Sequence, residues 1–225
     1  MESPRPTSTV EDYLQLIYVM QREGEEVIAA RLKERKGVSA PTAWATLKRM
    51  ERDGLVRLGP HHQIELTDEG QRLAESIIRR HMLAERLLTD ILKLDWADVH
   101  GEAHRMEHAI SPLIEKQILR LLDNPTTCPH GNPIPGMSSA APGKFRTLRE
   151  VGQGQTVVVN NIAEHAEEDA DLMHFLERNG LLPGAHLFIE EIARGNATIT
   201  VEIEPGGGRA VVGFPTADLI LTRPA

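Results

Sequence analysis

The feature that most limits the fold is a change of hydrophobic period along the chain. Up to about residue 123 apolar side chains recur at helical spacing, and from residue 147 they fall in short runs of β type. Between the two, residues 124–145 carry Pro125, Pro129, Pro133, Pro135, Gly136, Pro142 and Gly143, a composition that reads as a linker. No single regular architecture suits both periods. The chain is therefore expected to join a helical part to a small β part, and 225 residues leave room for two or three domains.

Within the helical part, residues 9–21 read as a first helix with Thr9 as N-cap. Asp12 lies three residues on, where it can close a capping-box-like pair or reach a metal held by another helix. Residues 27–36 form a second, short helix ended by Gly37, and residues 41–52 a third, capped by Ser39 with Pro41 in its first turn. Residues 55–58 and 63–66 then pair across Gly59-Pro60-His61-His62 as a hairpin. Three helices and a hairpin in some sixty residues describe a winged helix-turn-helix, whose third helix enters a DNA major groove.

Charge agrees with that reading. The whole chain carries a net −8, yet residues 27–57 hold Arg31, Lys33, Arg35, Lys36, Lys48, Arg49, Arg52 and Arg57 against Glu34, Glu51 and Asp53. A basic segment in an acidic protein is an electrostatic footprint for nucleic acid or a set of solvated helix faces. The expected base-edge contacts are Ser39, Ala40, Pro41, Thr42 and Thr46, with Lys48, Arg49 and Arg52 on phosphates. The front of the helix lacks Arg, Asn and Gln, so direct readout is expected to be modest, helped by thymine methyls and DNA shape. Trp44 is assigned to core packing.

Residues 67–93 read as a long helix and residues 95–110 as the next, with Ser111-Pro112 opening another. Their apolar residues, among them Leu73, Ile77, Leu83, Leu87, Leu88, Ile91 and Leu92, exceed what a small winged domain can cover. The surplus predicts a helical dimer interface, and a two-fold dimer suits a palindromic operator. On the 95–110 helix, His100, His104, Glu107 and His108 stand at offsets 0, 4, 7 and 8. These return to one face at about 3.6 residues per turn. His81 and Glu85 repeat the pattern at i, i+4. Imidazole and carboxylate donors together suit manganese, ferrous iron, cobalt, nickel or zinc, and carboxylate-rich sets lean toward manganese. No thiolate joins them, since Cys128, the single cysteine, lies in the linker; one cysteine also fits a reducing cytosol.

The remaining residues 147–225 offer five short strands, at 156–159, 186–190, 198–203, 210–213 and 218–222, with a helix at 167–178. That is the size of an SH3-like barrel. The expected fold class is mainly α with β, divided as 1–68 (winged helix-turn-helix), 69–124 (helical dimerisation and metal domain), 125–146 (linker) and 147–225 (SH3-like β-barrel domain).

The chain resembles the diphtheria toxin repressor family over nearly its whole length. The carriers are VEDYLQLIY, SAPTAWATLKRMERDGLV, RRHMLAERLLTD, VHGEAHRMEH and CPHGNPIPG. The resemblance implies a metal-activated repressor with two metal sites per subunit. One would use His81, Glu85 and His100, the other Asp12, His104, Glu107 and His108. The family's iron-type members have Met and Cys at the positions of Asp12 and His104, whereas the manganese group has Asp at the first and Glu at the second. Gln15 stands where the manganese group has a ligand Glu. Manganese is thus expected first and iron second. Iron-type members also draw ligands from the SH3-like domain, and Glu168, Asp169 and Asp171 are candidates here, or else helix N-terminal acids.

A cytoplasmic, homodimeric, metal-dependent repressor of metal-uptake genes is the resulting expectation. Its partner is double-stranded palindromic operator DNA, with no membrane, no small-molecule substrate and no enzymatic activity. Two other readings are a metal-sensing adaptor that does not touch DNA and a metal-dependent hydrolase. The second lacks the general base that an H-E-x-x-H helix would supply. No apolar run approaches the ~18 residues of a membrane span, and the first residues lack the apolar core of a signal peptide.

Overall fold

The computed structural model describes residues 6–60, 63–137, 145–206 and 208–225. It divides into two compact units, Met1–Arg80 and His81–Ala225. The expected hairpin tip at His61-His62 and residues 138–144 of the expected linker lie outside the described residues.

The first unit contains α1 (Ser8–Arg22), α2 (Ala29–Arg35), α3 (Ala40–Arg52), β1 (Val56–Leu58) and β2 (Ile64–Leu66). It also holds most of α4 (Asp68–Arg86), which continues into the second unit. Tyr13, Leu14, Ile17 and Met20 of α1 pack with Leu32, Leu47, Met50, Ile64 and Ile77 in one buried core. The cap of α1 is Thr7 rather than Thr9, without a side-chain bond, so Thr9 and Asp12 form no capping pair. Instead Asp12 Oδ2 accepts from Lys36 Nζ at 3.3 Å. Val27 and Ile28 stand before α2 instead of inside it. Ile28 bridges Gln63, and the Val27 carbonyl accepts from the Ile64 N–H. Two β-branched residues in sequence favour that extended rung over a helix start. Ser39 caps α3 as expected, accepting from the Thr42 N–H. The two short strands pair antiparallel, Val56 with Leu66 and Leu58 with Ile64.

In the second unit α4 gives way to a wider π-type turn at Leu87–Ile91. Residues 95–98 form a turn, so α5 begins at Val99 and runs to Glu107. Trp96 in that turn is buried and its indole N–H donates to the Pro129 carbonyl. Ser111 caps α6 (Pro112–Leu121), of which Ile118 alone is buried. Ile91, Leu92, Leu113, Ile114 and Leu121 remain exposed.

Residues 146–225 form a six-stranded antiparallel sheet. Its strands are β3 (Arg146–Thr147), β4 (Thr156–Ile162), β5 (His186–Ala193), β6 (Thr198–Glu204), β7 (Gly208–Gly213) and β8 (Ile220–Pro224), in the order β3-β8-β4-β5-β6-β7. The helices α7 (Ala170–Arg178) and α8 (Phe214–Leu219) complete it. The two-residue β3 was not expected, and Asp218 belongs to α8 instead of the last strand. Inward residues such as Val157, Val159, Leu187, Ile189, Ile199 and Val201 make its core. A single-turn 3₁₀ helix at Glu164–Glu168 precedes α7, so the helix begins three residues later than its acids suggest.

The segment 125–137 is not a free linker. Cys128, His130, Asn132 and Ile134 are all buried. The Cys128 N–H donates to the Asn132 carbonyl, and the Ile162 N–H donates to the His130 carbonyl. Prolines and glycines here shape a tight turn that packs on β4. Gly131 shows the closeness: its φ is +87°, and a Cβ there would lie 2.3 Å from the Asn160 oxygen.

Candidate metal centre and nucleic-acid face

One helical turn separates His81 from Glu85, so α4 presents both on one face. There His81 Nε2 lies 3.0 Å from Glu85 Oε1 and 3.1 Å from His100 Nδ1 of α5. His100 Nδ1 is also 3.2 Å from Glu167 Oε2, which the 3₁₀ turn brings in. His130 Nδ1 stands 3.1 Å from Glu167 and 3.5 Å from Glu85. Donor atoms of His81, Glu85, His100 and Glu167 all lie within 4.8 Å of one another, as do those of Glu85, Cys128 and His130. Asn132 secures the cluster from behind by donating to Glu167 and to the Ile162 carbonyl.

The stripe on α5 serves two places along its axis. His100 faces the cluster just described, one turn above the rest. Glu107, fully buried, has Oε1 3.2 Å from His104 Nδ1 and 3.5 Å from His108 Nε2. Its other oxygen lies 2.6 Å from His81 Nδ1. Asp12, the remaining expected donor of this set, lies on α1 in the first unit.

Electrostatics follow from this packing. Burial alone would lower His81, His100 and His130, but the carboxylates facing them win. His100 is carried up to about 9 by Glu167 and Glu85. Glu85 and Glu107 hold His81 well above the usual imidazole range, and Glu167 and Glu85 do the same for His130. Conversely, burial would raise Glu85 and Glu107. The charges of His81 and His130 hold Glu85 well below the carboxylate range, and the contacts of His104 and His81 bring Glu107 down to about 2. Burial pushes the Cys128 thiol up to about 12. The set thus stores charge as imidazolium facing carboxylate. Glu85 Oε2 is buried without a hydrogen-bond partner among the described residues. An orphaned carboxylate oxygen amid nitrogen and oxygen donors fits a divalent cation.

The acids expected as ligands in the SH3-like part, Glu168, Asp169 and Asp171, are not among the donor atoms gathered here. Glu168 and Asp171 are exposed, and Asp169 caps α7 by accepting from the Leu172 N–H. It is Glu167 that turns inward, because a 3₁₀ turn does not keep the phase of the helix after it. His130 and Cys128 were missed because their segment was read as a linker. The Cys-Pro-His spacing before a glycine was the available signal.

The face of α3 also differs from expectation. Thr46 is buried and its hydroxyl donates to the Thr42 carbonyl, which removes it from any groove. Trp44, assigned to the core, is 37% exposed with Lys48 Nζ 5.2 Å from its ring centroid. Ser39, Ala40, Pro41, Thr42, Lys48 and Arg52 are exposed, and Arg49 is half-buried.

Comparison with known proteins finds three family matches along the chain. Residues 6–63 match the family described as "Iron dependent repressor, N-terminal DNA binding domain". Residues 67–136 match "Iron dependent repressor, metal binding and dimerisation domain", and residues 146–224 match "FeoA domain". The iron-dependent repressor IdeR of Mycobacterium leprae is 41% identical over 203 residues, covering 86% of this chain and 88% of that one. The diphtheria toxin repressor of Corynebacterium efficiens is 48% identical over 130 residues, 58% of this chain and 56% of that one. A solved structure titled "Manganese-dependent transcriptional repressor complex with manganese" aligns with TM-score 0.86 at 31% identity, covering 96% of this chain and all of that one. Among the described residues, no helix is long and apolar enough to cross a membrane.

Proposed function

Because the chain belongs to the diphtheria toxin repressor family of metal-dependent transcriptional repressors, we propose that two divalent cations per subunit, manganese or alternatively ferrous iron, govern its hold on operator DNA. The observation that carries this reading is the buried cluster of His81, Glu85, His100 and Glu167 with its orphaned Glu85 oxygen. These four would hold one cation, with His130 and Cys128 beside them. Asp12, His104, Glu107 and His108 would hold the other. A bound cation supplies the positive charge that the imidazolium protons otherwise provide. The protein side of the switch is proton release from the histidines and fixing of their rings. Drawing Asp12 from α1 into the second set is what would couple ion binding to the DNA-binding unit. The apolar side chains left open on residues 91–121 support a two-fold dimer, matched to a palindromic site in the cytoplasm. No catalytic step is part of the proposal.

The test is a DNA-binding titration with manganese and with ferrous iron, at several salt concentrations. Wild type should gain at least about fivefold in affinity on metal addition, the lower end of common coupling energies, and should lose affinity steeply with salt. Asp12→Ala should lose the metal stimulation while staying dimeric in sedimentation. A variant that responds like wild type refutes the link through α1.

A further inference from the structure

The first unit exposes a single large apolar side chain among its described residues, Trp44. Its setting on α3 is ordered. Ala43, Leu47 and Met50 turn into the core with Thr46, so Pro41, Trp44, Ala45, Lys48 and Arg52 form the outward stripe at helical spacing. The front of that stripe is apolar and its rear is cationic. Ser39, one of the two hydroxyls nearest the front, is committed to the cap, and Thr42 Oγ1 lies 2.8 Å from it. Thr46 faces inward. What remains to meet base edges is the proline ring, the alanine methyl and the indole.

In the major groove the only apolar group on a base edge is the 5-methyl of thymine. Phosphates flank it, and Lys48 and Arg52, which pair with Glu51 and Asp53 at 2.9 Å each at the exposed surface, would exchange those partners for them. The Lys48 ammonium over the indole also holds that ring in position. We propose that Trp44 is a specificity-determining residue that reads thymine methyl groups in each operator half-site. This rests on the family reading that α3 is the helix entering the groove.

The experiment uses the full chain with manganese, and an operator obtained by selection from random duplexes. Each thymine of a half-site is replaced in turn by deoxyuridine, which removes only the methyl. Wild type should lose about fourfold at one or two positions per half-site, the worth of one buried methyl-sized group. The Trp44→Ala variant should bind thymine and deoxyuridine duplexes equally at those positions. Its far-ultraviolet spectrum should match wild type and its melting temperature should stay well above that of the assay, since the side chain lies outside the buried core. Trp44→Leu, apolar but smaller, should keep part of the discrimination. If Trp44→Ala keeps the wild-type pattern at every position, or if wild type ignores every replacement, the assignment is overturned. If wild type binds no duplex with either metal, the DNA reading itself falls and takes the assignment with it.

Discussion

Metal binding should expel protons, and the number can be worked from the cluster. His100 is held at about 9 by Glu167 and Glu85, so at neutral pH the metal-free protein carries a proton on it. His81 and His130 are raised as well and carry theirs. A cation can use a ring nitrogen only after its proton leaves. Each proton displaced makes affinity rise about tenfold per pH unit. At pH 7 the His100 proton alone lies about two pH units below its release point, a penalty of about a hundredfold, or about 3 kcal/mol. Between pH 6.5 and 7.5 the affinity of this set should therefore rise at least about tenfold, and about a hundredfold if His81, its other histidine, lets go as well. Calorimetric titration of manganese into the full chain, repeated in buffers of different ionisation heat, counts the protons directly. His100→Gln should release one fewer. A wild-type count below one, or an unchanged count in His100→Gln, would refute the charge assignment.

The same histidines should shape the stability of chelator-treated protein. His100 is raised from its unfolded value of about 6.5 to about 9, so its contribution is whole below pH 6.5 and lost as pH climbs through 9. That is about 3 kcal/mol, to be read from urea midpoints at pH 6, 7.5 and 9; a rising midpoint would contradict it. Glu107, lowered to about 2, acts in the other direction, with its share present above pH 4.5 and lost in acid. Arg80 and Glu11 form a buried pair at 3.2 Å, so Arg80→Leu, which removes one member of a buried ion pair, should cost about 3–5 kcal/mol; a melting temperature within a degree of wild type would show the pair to be idle. Leu113, 69% exposed, should tolerate Asp within the monomer, yet Leu113→Asp should shift sedimentation from dimer to monomer, and a persistent dimer would place the interface elsewhere.

Much of this molecule was legible in its sequence, and the exceptions have physical causes. Periodicity located all the major helices, and i, i+4 spacing picked out His81 with Glu85 because an α-helix keeps its phase. Glu167 escaped because a 3₁₀ turn resets the phase one residue from where acids at a helix start draw the eye. His130 and Cys128 escaped because proline and glycine signal turns, and turns were equated with looseness; Ile134 and Asn132, which anchor the turn, carry no such local mark. Trp44 and Thr46 were exchanged by weighing residue type alone. Leu47 and Met50 set the inward side of α3, and Thr46 and Trp44 flank it on either edge at i−4 and i−3, so phase separates them only slightly and the bulk of the indole decides the rest.

The 2.6 Å approach of His81 Nδ1 to Glu107 has a consequence for how the two ligand sets are built. An imidazole has two nitrogens, and here each looks into a different chamber. A cation on Nε2 would keep the hydrogen on Nδ1 and so pin the carboxylate that His104 and His108 also face. The ring is a party wall: furnishing the room on one side fixes the fittings on the other.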